Sequence, residues 1–192
     1  VKFVAEQDSL NASLLGPDAL PGTPEFDLFV KEVVNEMTVK AGQKCTAIRR
    51  AMAPAEHLDA VEAAIRDRLA GTRVGDPRDR ESRMGALVST GQRDDVRAQI
   101  GKLTAGGARI VAGDPDATPG VAGGAFMEPI LLRSDDPWSN AAVHDVEAFG
   151  PVSTVMPYRD MADAVALANR GMGSLALSLF THSPEAAREF IQ

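Results

Sequence analysis

Short apolar runs of strand length alternate with amphipathic helical segments along almost the whole chain, and that alternation leaves few architectures open. Strands are expected over residues 10–15, 46–53, 108–112, 126–132, 152–156 and 175–180, with a further strand and a turn at Glu6 in residues 1–8. Between them, apolar residues recur at helical spacing. Phe26, Val30, Val33 and Met37 share one face behind Thr23-Pro24, a capping side chain followed by a proline in the first turn. Leu58, Val61, Ile65 and Leu69 make a second face, closed by Gly71, and Val96, Ile100 and Leu103 a third, closed by Gly106-Gly107. Asp160 caps a helix carrying Met161, Val165 and Ala168, and Ser183-Pro184-Glu185 starts the last one. Residues 113–124, rich in glycine and proline, read as a surface loop; residues 135–147, which carry the only tryptophan, Trp138, read as a poorly periodic connection. Strands and helices taking turns at this spacing imply an α/β fold, three-layered around a mostly parallel sheet.

The 192 residues suit one domain that buries a real core without staples. A formal net charge of −7 argues against a nucleic-acid binder. Arg73, Arg78, Arg80 and Arg83 do bunch together, but acids interleave with them, so a solvated face is expected there. A single cysteine allows no internal disulfide and fits a reducing, cytoplasmic compartment. No apolar run approaches the roughly 18 residues of a membrane span. His57, His144 and His182 share no metal-ligand spacing, so no metal site is expected. Neither Gly-x-Gly-x-x-Gly nor a phosphate-binding Walker loop occurs. The chain opens inside a strand-like run without an initiator methionine and closes in a helical pattern, and is therefore expected to be a domain excised from a longer protein.

The chemistry centres on Ala41-Gly42-Gln43-Lys44-Cys45-Thr46-Ala47-Ile48, where a helical pattern gives way to a strand-like run. Gly42 permits a sharp turn that presents the thiol at the lip of a sheet, a suitable place for a nucleophile toward a carbonyl carbon. A lone cysteine is more often a small buried hydrophobe. Arg49 and Arg50 follow on a strand and so point to opposite faces. An arginine near the thiol favours its thiolate, and a surface salt bridge is the plainer alternative.

Gly42-Gln43-x-Cys45-x-Ala47 resembles the catalytic cysteine motif of the aldehyde dehydrogenase superfamily, and further motifs follow the order of that family along nearly the whole chain. Glu6-Gln7-Asp8-Ser9-Leu10-Asn11 is similar to its general-base segment, although the usual Glu-Leu-Gly-Gly is absent. Gly75-Asp76-Pro77, Met84-Gly85-Ala86-Leu87-Val88-Ser89, Gly123-Gly124-Ala125-Phe126-Met127-Glu128-Pro129 and Glu147-Ala148-Phe149-Gly150-Pro151-Val152 complete the series. Within the superfamily, Glu-x-Asp-Ser-Leu-Asn together with Gly-Gln-Lys-Cys-Thr-Ala-Ile-Arg-Arg looks closest to the dehydrogenase half of the bifunctional ring-opening enzymes of phenylacetate degradation.

The resemblance implies a catalytic domain with Cys45 as nucleophile and Glu6 as the base that activates water. It also implies Glu147 and Phe149 as the pair that holds the nicotinamide ribose of NAD or NADP, with Ala148 in place of the usual aliphatic residue between them. The implied substrate is an aldehyde, in the subfamily a coenzyme A-linked semialdehyde. A cofactor domain upstream, a hydratase-like domain downstream and a homo-oligomer are implied for the full-length protein. The oxyanion-hole asparagine of the family is expected upstream of residue 1. Two readings compete with oxidation: a cofactor-independent thiol hydrolase using Cys45 and Glu6, and a non-catalytic interaction domain that keeps the fold.

Overall fold

A computed structural model describes residues 2–3, 9–171 and 173–191. Six strands form one sheet: β1 (Ala12–Leu15), β2 (Arg50–Pro54), β3 (Arg109–Ala112), β4 (Ile130–Arg133), β5 (Val152–Tyr158) and β6 (Leu177–Phe180), in the order β3-β4-β5-β2-β1-β6. Every pairing is parallel except β3 with β4. The helices are α1 (Pro24–Thr38), α2 (Leu58–Ala70), α3 (Thr90–Ala105), α4 (Ala142–Asp145), α5 (Met161–Ala168) and α6 (Pro184–Ile191). This is the three-layer α/β arrangement expected from the alternation.

Both faces of the sheet are covered, which is why its strands read as apolar runs rather than as alternating ones. On one face α1 and α2 bury Phe29, Val33, Met37, Val61 and Ile65 against Leu15, Ala51, Ala53, Leu131 and Val155. On the other, Val96 and Ile100 of α3, Val143 of α4, Leu167 of α5 and Ala186 of α6 meet Leu14, Met52, Ile130, Leu132 and Met156. Leu131 falls in one layer and its neighbours Ile130 and Leu132 in the other, as the two-residue period of a strand requires. Each large side chain buried this way contributes about 2 kcal/mol relative to exposure. The start of α1 follows its sequence signal: the Thr23 hydroxyl accepts from the Phe26 N–H with Pro24 in the first turn.

Several strands start later than expected, for local reasons. β4 begins at Ile130 because Pro129 has no N–H to give to a ladder, and Ile130 N makes the first bond, to Pro151 O. β1, β2 and β6 begin at 12, 50 and 177 rather than at 10, 46 and 175. Backbone groups ahead of each are taken by side chains: Leu10 O by Arg50 and Ser174, Cys45 O and Ala47 O by Asn11, and Leu175 N and Ala176 N again by Asn11. β6, whose apolar run reads as a buried strand, is half-exposed, with Leu177 48% accessible, because it is the outer strand of the sheet in this chain. The connection at 135–147 contains α4, which the weak periodicity did not signal. The arginine-rich loop is solvated as expected: Arg78 pairs with Asp76 and Arg73 with Asp79, all at the surface.

Candidate active site

Because β1, β2, β5 and β6 run parallel, the loops leading into them meet at one edge of the sheet, the amino edge. Cys45 lies in the loop before β2, Glu147 and Phe149 before β5, and Ser9 and Asn11 before β1. Cys45 is exposed and free. Glu6, the expected base, lies outside the described residues.

The cysteine loop is built from consecutive turns. α1 stops at Thr38 and a 3-10 turn covers Val39–Gly42, in which Lys40, Ala41 and Gly42 are all left-handed, with φ of 54°, 51° and 68°. Such a conformation costs a non-glycine residue roughly 1–2 kcal/mol, so it persists only where the surroundings hold it. Here they do. Gln43 N and Gln43 Nε2 both donate to Lys40 O, at 3.1 and 3.0 Å, and Gln43 Oε1 accepts from Val88 N at 3.0 Å. Lys44 N returns to Gly42 O and Ala47 N to Lys44 O. Lys44 Nζ pairs with Glu36 on α1. The loop is therefore tied both to the helix behind it and to the approach to α3.

Arg49 joins this loop to the one before β5. It is only 5% accessible, and its guanidinium spans the two: Nη2 donates to Gly42 O at 2.8 Å and Nη1 to Gly150 O at 2.7 Å. Its Nε lies 3.4 Å from Glu147 Oε1, and the charge sits 5.4 Å from the centre of the Phe149 ring. Burial pulls the Arg49 guanidinium below its ordinary pKa, while the Glu147 carboxylate opposes that shift. The second Glu147 oxygen accepts from Ser9 N at 3.0 Å. Phe149 O accepts from Gln92 Nε2 of α3, and Ala148 is buried. Gly42 and Gly150 touch so closely that a Cβ on Gly42 would stand 2.0 Å from Gly150 O. Thus the structure brings Cys45's loop, Glu147 and Phe149 together, with Arg49 as the connector.

The expectation that Arg49 and Arg50 point to opposite faces of a strand does not hold. β2 starts only at Arg50, and both backbone N–H groups donate to Asn11 O, which breaks the alternation, so both side chains lie on the α3–α5 side of the sheet. Neither makes a surface salt bridge. Arg50 is 1% accessible and its donors go to Leu10 O, Leu167 O, Ala168 O, Ser174 Oγ and His144 Nδ1. Burial first, then the charge of Arg170, lowers its pKa to about 10. Because arginine only donates, His144 Nδ1 must be the acceptor, so its proton is on Nε2 and donates to Pro137 O at 2.9 Å. His144 is fully buried and held neutral, its pKa lowered to about 4 by burial, with the Arg50 charge adding to the effect and the Pro137 bond opposing it.

The sequence motifs gave roles to Cys45, Glu147 and Phe149; they contained Ser9, Asn11 and Gln43 without giving them one, and Arg49 was read as a neighbour of the thiol or a surface ion pair rather than as a connector. One signal was available: two adjacent arginines and an asparagine within otherwise apolar strand runs must find buried partners. Among the described residues no group of three His, Cys, Asp or Glu is placed to hold a metal ion, and no helix is long and apolar enough to cross a membrane.

Comparison with known proteins agrees with this architecture. The family model for the aldehyde dehydrogenase family matches residues 4–192. The chain is 50% identical over 184 residues to the 3,4-dehydroadipyl-CoA semialdehyde dehydrogenase of Aromatoleum evansii, an overlap of 94% of this chain and 36% of that protein. It is 50% identical over 109 residues to Protein MaoC of Klebsiella aerogenes, covering 56% of this chain and 32% of that one. The solved structure of betaine aldehyde dehydrogenase from Staphylococcus aureus in complex with NAD+ matches with a TM-score of 0.86 and 28% identity, over 97% of this chain and 36% of the other. The chain spans about a third of the length of the curated relatives it matches. A motif series, a sheet order and a sequence match that each run nearly end to end mean that the chain belongs to the aldehyde dehydrogenase family.

Proposed function

We propose that this chain is the catalytic domain of an NAD(P)-dependent dehydrogenase that oxidises an aldehyde to its acid through Cys45. The observation that carries the reading is the Arg49 bridge, which holds the exposed Cys45 loop against the loop of Glu147 and Phe149. A nucleophile and a cofactor-holding pair are useful together only if their separation is fixed, and one buried guanidinium fixes it.

The Cys45 thiolate attacks the aldehyde carbon, forming a C–S bond and a tetrahedral alkoxide. The Cys45 backbone N–H is one donor for that oxygen. Collapse of the alkoxide expels hydride and leaves a thioester on Cys45. Water activated by Glu6 adds to the thioester, and departure of the thiolate releases the acid. The nicotinamide of NAD or NADP, when bound, accepts the hydride. The residues present fit its ribose: a carboxylate offers about four acceptor directions, and Glu147 uses two of them, on Ser9 and Arg49. The substrate we assign is a coenzyme A-linked semialdehyde, supported by 50% identity to a dehydrogenase named for one; its origin in aromatic ring cleavage rests on the motif resemblance alone. For the whole protein we propose a separate cofactor domain that supplies the adenosine contacts.

The test is aldehyde-dependent formation of reduced cofactor by the full-length protein. Cys45→Ala should abolish it with little change in Tm, since an exposed thiol contributes little packing. Glu6→Gln should give a burst of reduced cofactor equal to the enzyme present, then slow turnover. Turnover surviving in Cys45→Ala removes the thiol from the mechanism.

A further inference from the structure

We infer that Asn11 is a positioning residue that sets the direction of the Cys45 thiol; the inference rests on the reading of Cys45 as the nucleophile. Asn11 is 1% accessible and every polar atom of its side chain is engaged. Its Oδ1 accepts from Leu175 N and Ala176 N, both at 2.8 Å. Its amino group faces three acceptors: Cys45 O at 2.8 Å, Ser9 Oγ at 2.9 Å and Ala47 O at 3.0 Å. With two hydrogens for three acceptors, one hydrogen is shared. The Ser9 hydroxyl passes its own hydrogen to Cys45 O at 2.5 Å, so that carbonyl is held by two donors. The Asn11 backbone oxygen in turn accepts from Arg49 N and Arg50 N, at 3.2 and 3.1 Å.

These bonds occupy the backbone groups that would otherwise carry the ladders between β1, β2 and β6 back toward residues 46 and 175. A side-chain amide thus replaces the first rungs of two pairings and ends the sheet at one level. Ala47 N holds Lys44 O and so the peptide before Cys45, and Asn11 and Ser9 hold Cys45 O and so the peptide after it; with both planes held, the direction of the Cα–Cβ bond that carries the sulfur is fixed. The clamp also joins the nucleophile to the segment that leads from Glu6. No other side chain of this size supplies two hydrogens and one doubly accepting oxygen at once. Aspartate has the shape but no hydrogens, and leucine has neither group.

The test uses the full-length protein. Asn11→Asp keeps the volume and the acceptor for Leu175 and Ala176 while removing both hydrogens from Cys45 O and Ala47 O. A displacement on the order of an ångström at the reacting atom lowers turnover about 100-fold, so kcat should fall by that much. Alkylation of Cys45 by iodoacetamide, followed by mass spectrometry of the peptide that contains it, needs a thiol but no alignment, and should stay within about threefold of the parent. The introduced carboxyl, buried among carbonyl oxygens, takes up a proton as the pH falls and regains one donor. The ratio of variant to parent kcat should therefore rise between about pH 8 and pH 6. A kcat within threefold of the parent overturns the role of Asn11. So does a kcat loss matched at every pH by an equal loss of alkylation, which would mark a purely structural residue. Ser9→Ala removes one of the two donors to Cys45 O and nothing from Leu175 or Ala176, and should lower kcat about tenfold. If Asn11→Asp fails to fold and Ser9→Ala keeps full turnover, the inference falls. A parent that oxidises no aldehyde would instead sink the proposed function, which keeps the two failures apart.

Discussion

Gly42→Ala is the sharpest test of how this site is built. The added Cβ would stand 2.0 Å from Gly150 O, 2.5 Å from Gly150 C and 2.9 Å from Pro151 Cα. Carbon and oxygen that are not bonded settle at about 3.3 Å at the closest, so the two loops must part by roughly 1.3 Å. All the atoms in the way are backbone, and no rotamer change relieves them. Parting the loops also pulls on the single guanidinium that holds Gly42 O and Gly150 O, at 2.8 and 2.7 Å. A misplacement on this scale costs about 100-fold in rate, or roughly 2.7 kcal/mol of transition-state stabilisation. The left-handed φ of 68° adds about 1–2 kcal/mol of lost stability. Reduced-cofactor formation by the full-length variant should be followed well below its own melting temperature, so that all molecules are folded. A kcat/KM within threefold of the parent would refute the reasoning, because the approach of the two loops would then be irrelevant to turnover.

Arg49→Lys keeps a charge but cannot reach two carbonyls and Glu147 at once. It should lower Tm by several degrees and kcat by about tenfold, since charge-assisted bonds contribute about 1.5–3 kcal/mol each; an unchanged Tm in differential scanning calorimetry would show that the bridge carries no stability. His144 gives a pH dependence. Its folded pKa of about 4 lies below the ordinary 6.5, so between those values the unfolded chain binds the extra proton. Stability is complete above pH 6.5 and falls as the pH drops toward 4, by about 3 kcal/mol in all. Urea midpoints should show this loss in the parent and a smaller one in His144→Gln, and equal losses in both would assign the effect to other groups.

Element type was legible wherever local chemistry and long-range packing agree. α1 and α5 carry their own caps, Thr23 and Asp160, ahead of a coherent apolar face, and both form as read. The motif series singled out Cys45, Glu147 and Phe149, but that their loops share one edge of the sheet came only from the strand order. Strand starts were not legible, because at Asn11 a side chain competes with the backbone for the same carbonyls and amides, and such competition depends on partners more than 30 and more than 160 residues away. The two arginines escaped for a related reason. Charge in a sequence predicts solvent, whereas Arg49 and Arg50 are satisfied by carbonyls that only the finished fold brings near. β6 reads as a buried strand from its apolar run, but its position at the side of the sheet is a property of strand order, which no local pattern encodes.

The parallel sheet also decides the sign of the field at the site. Helices that link parallel strands run back against them, so α1 and α5 direct their carboxyl ends toward the same edge as Cys45, and α4 ends just before Glu147. Aligned peptide dipoles leave about half a negative charge at the ends of α1 and α5. The guanidinium of Arg50 rests on two of these terminal carbonyls, Leu167 O and Ala168 O, which is how a buried cation persists there with no carboxylate paired to it among the described residues. α3 turns its amino end toward this edge, and that end is already engaged, with Ser89 accepting from Gln92 N and Gln43 accepting from Val88 N. The backbone of this edge therefore welcomes positive charge. Negative charge on a substrate then falls to single donors such as the Cys45 N–H and to cationic side chains.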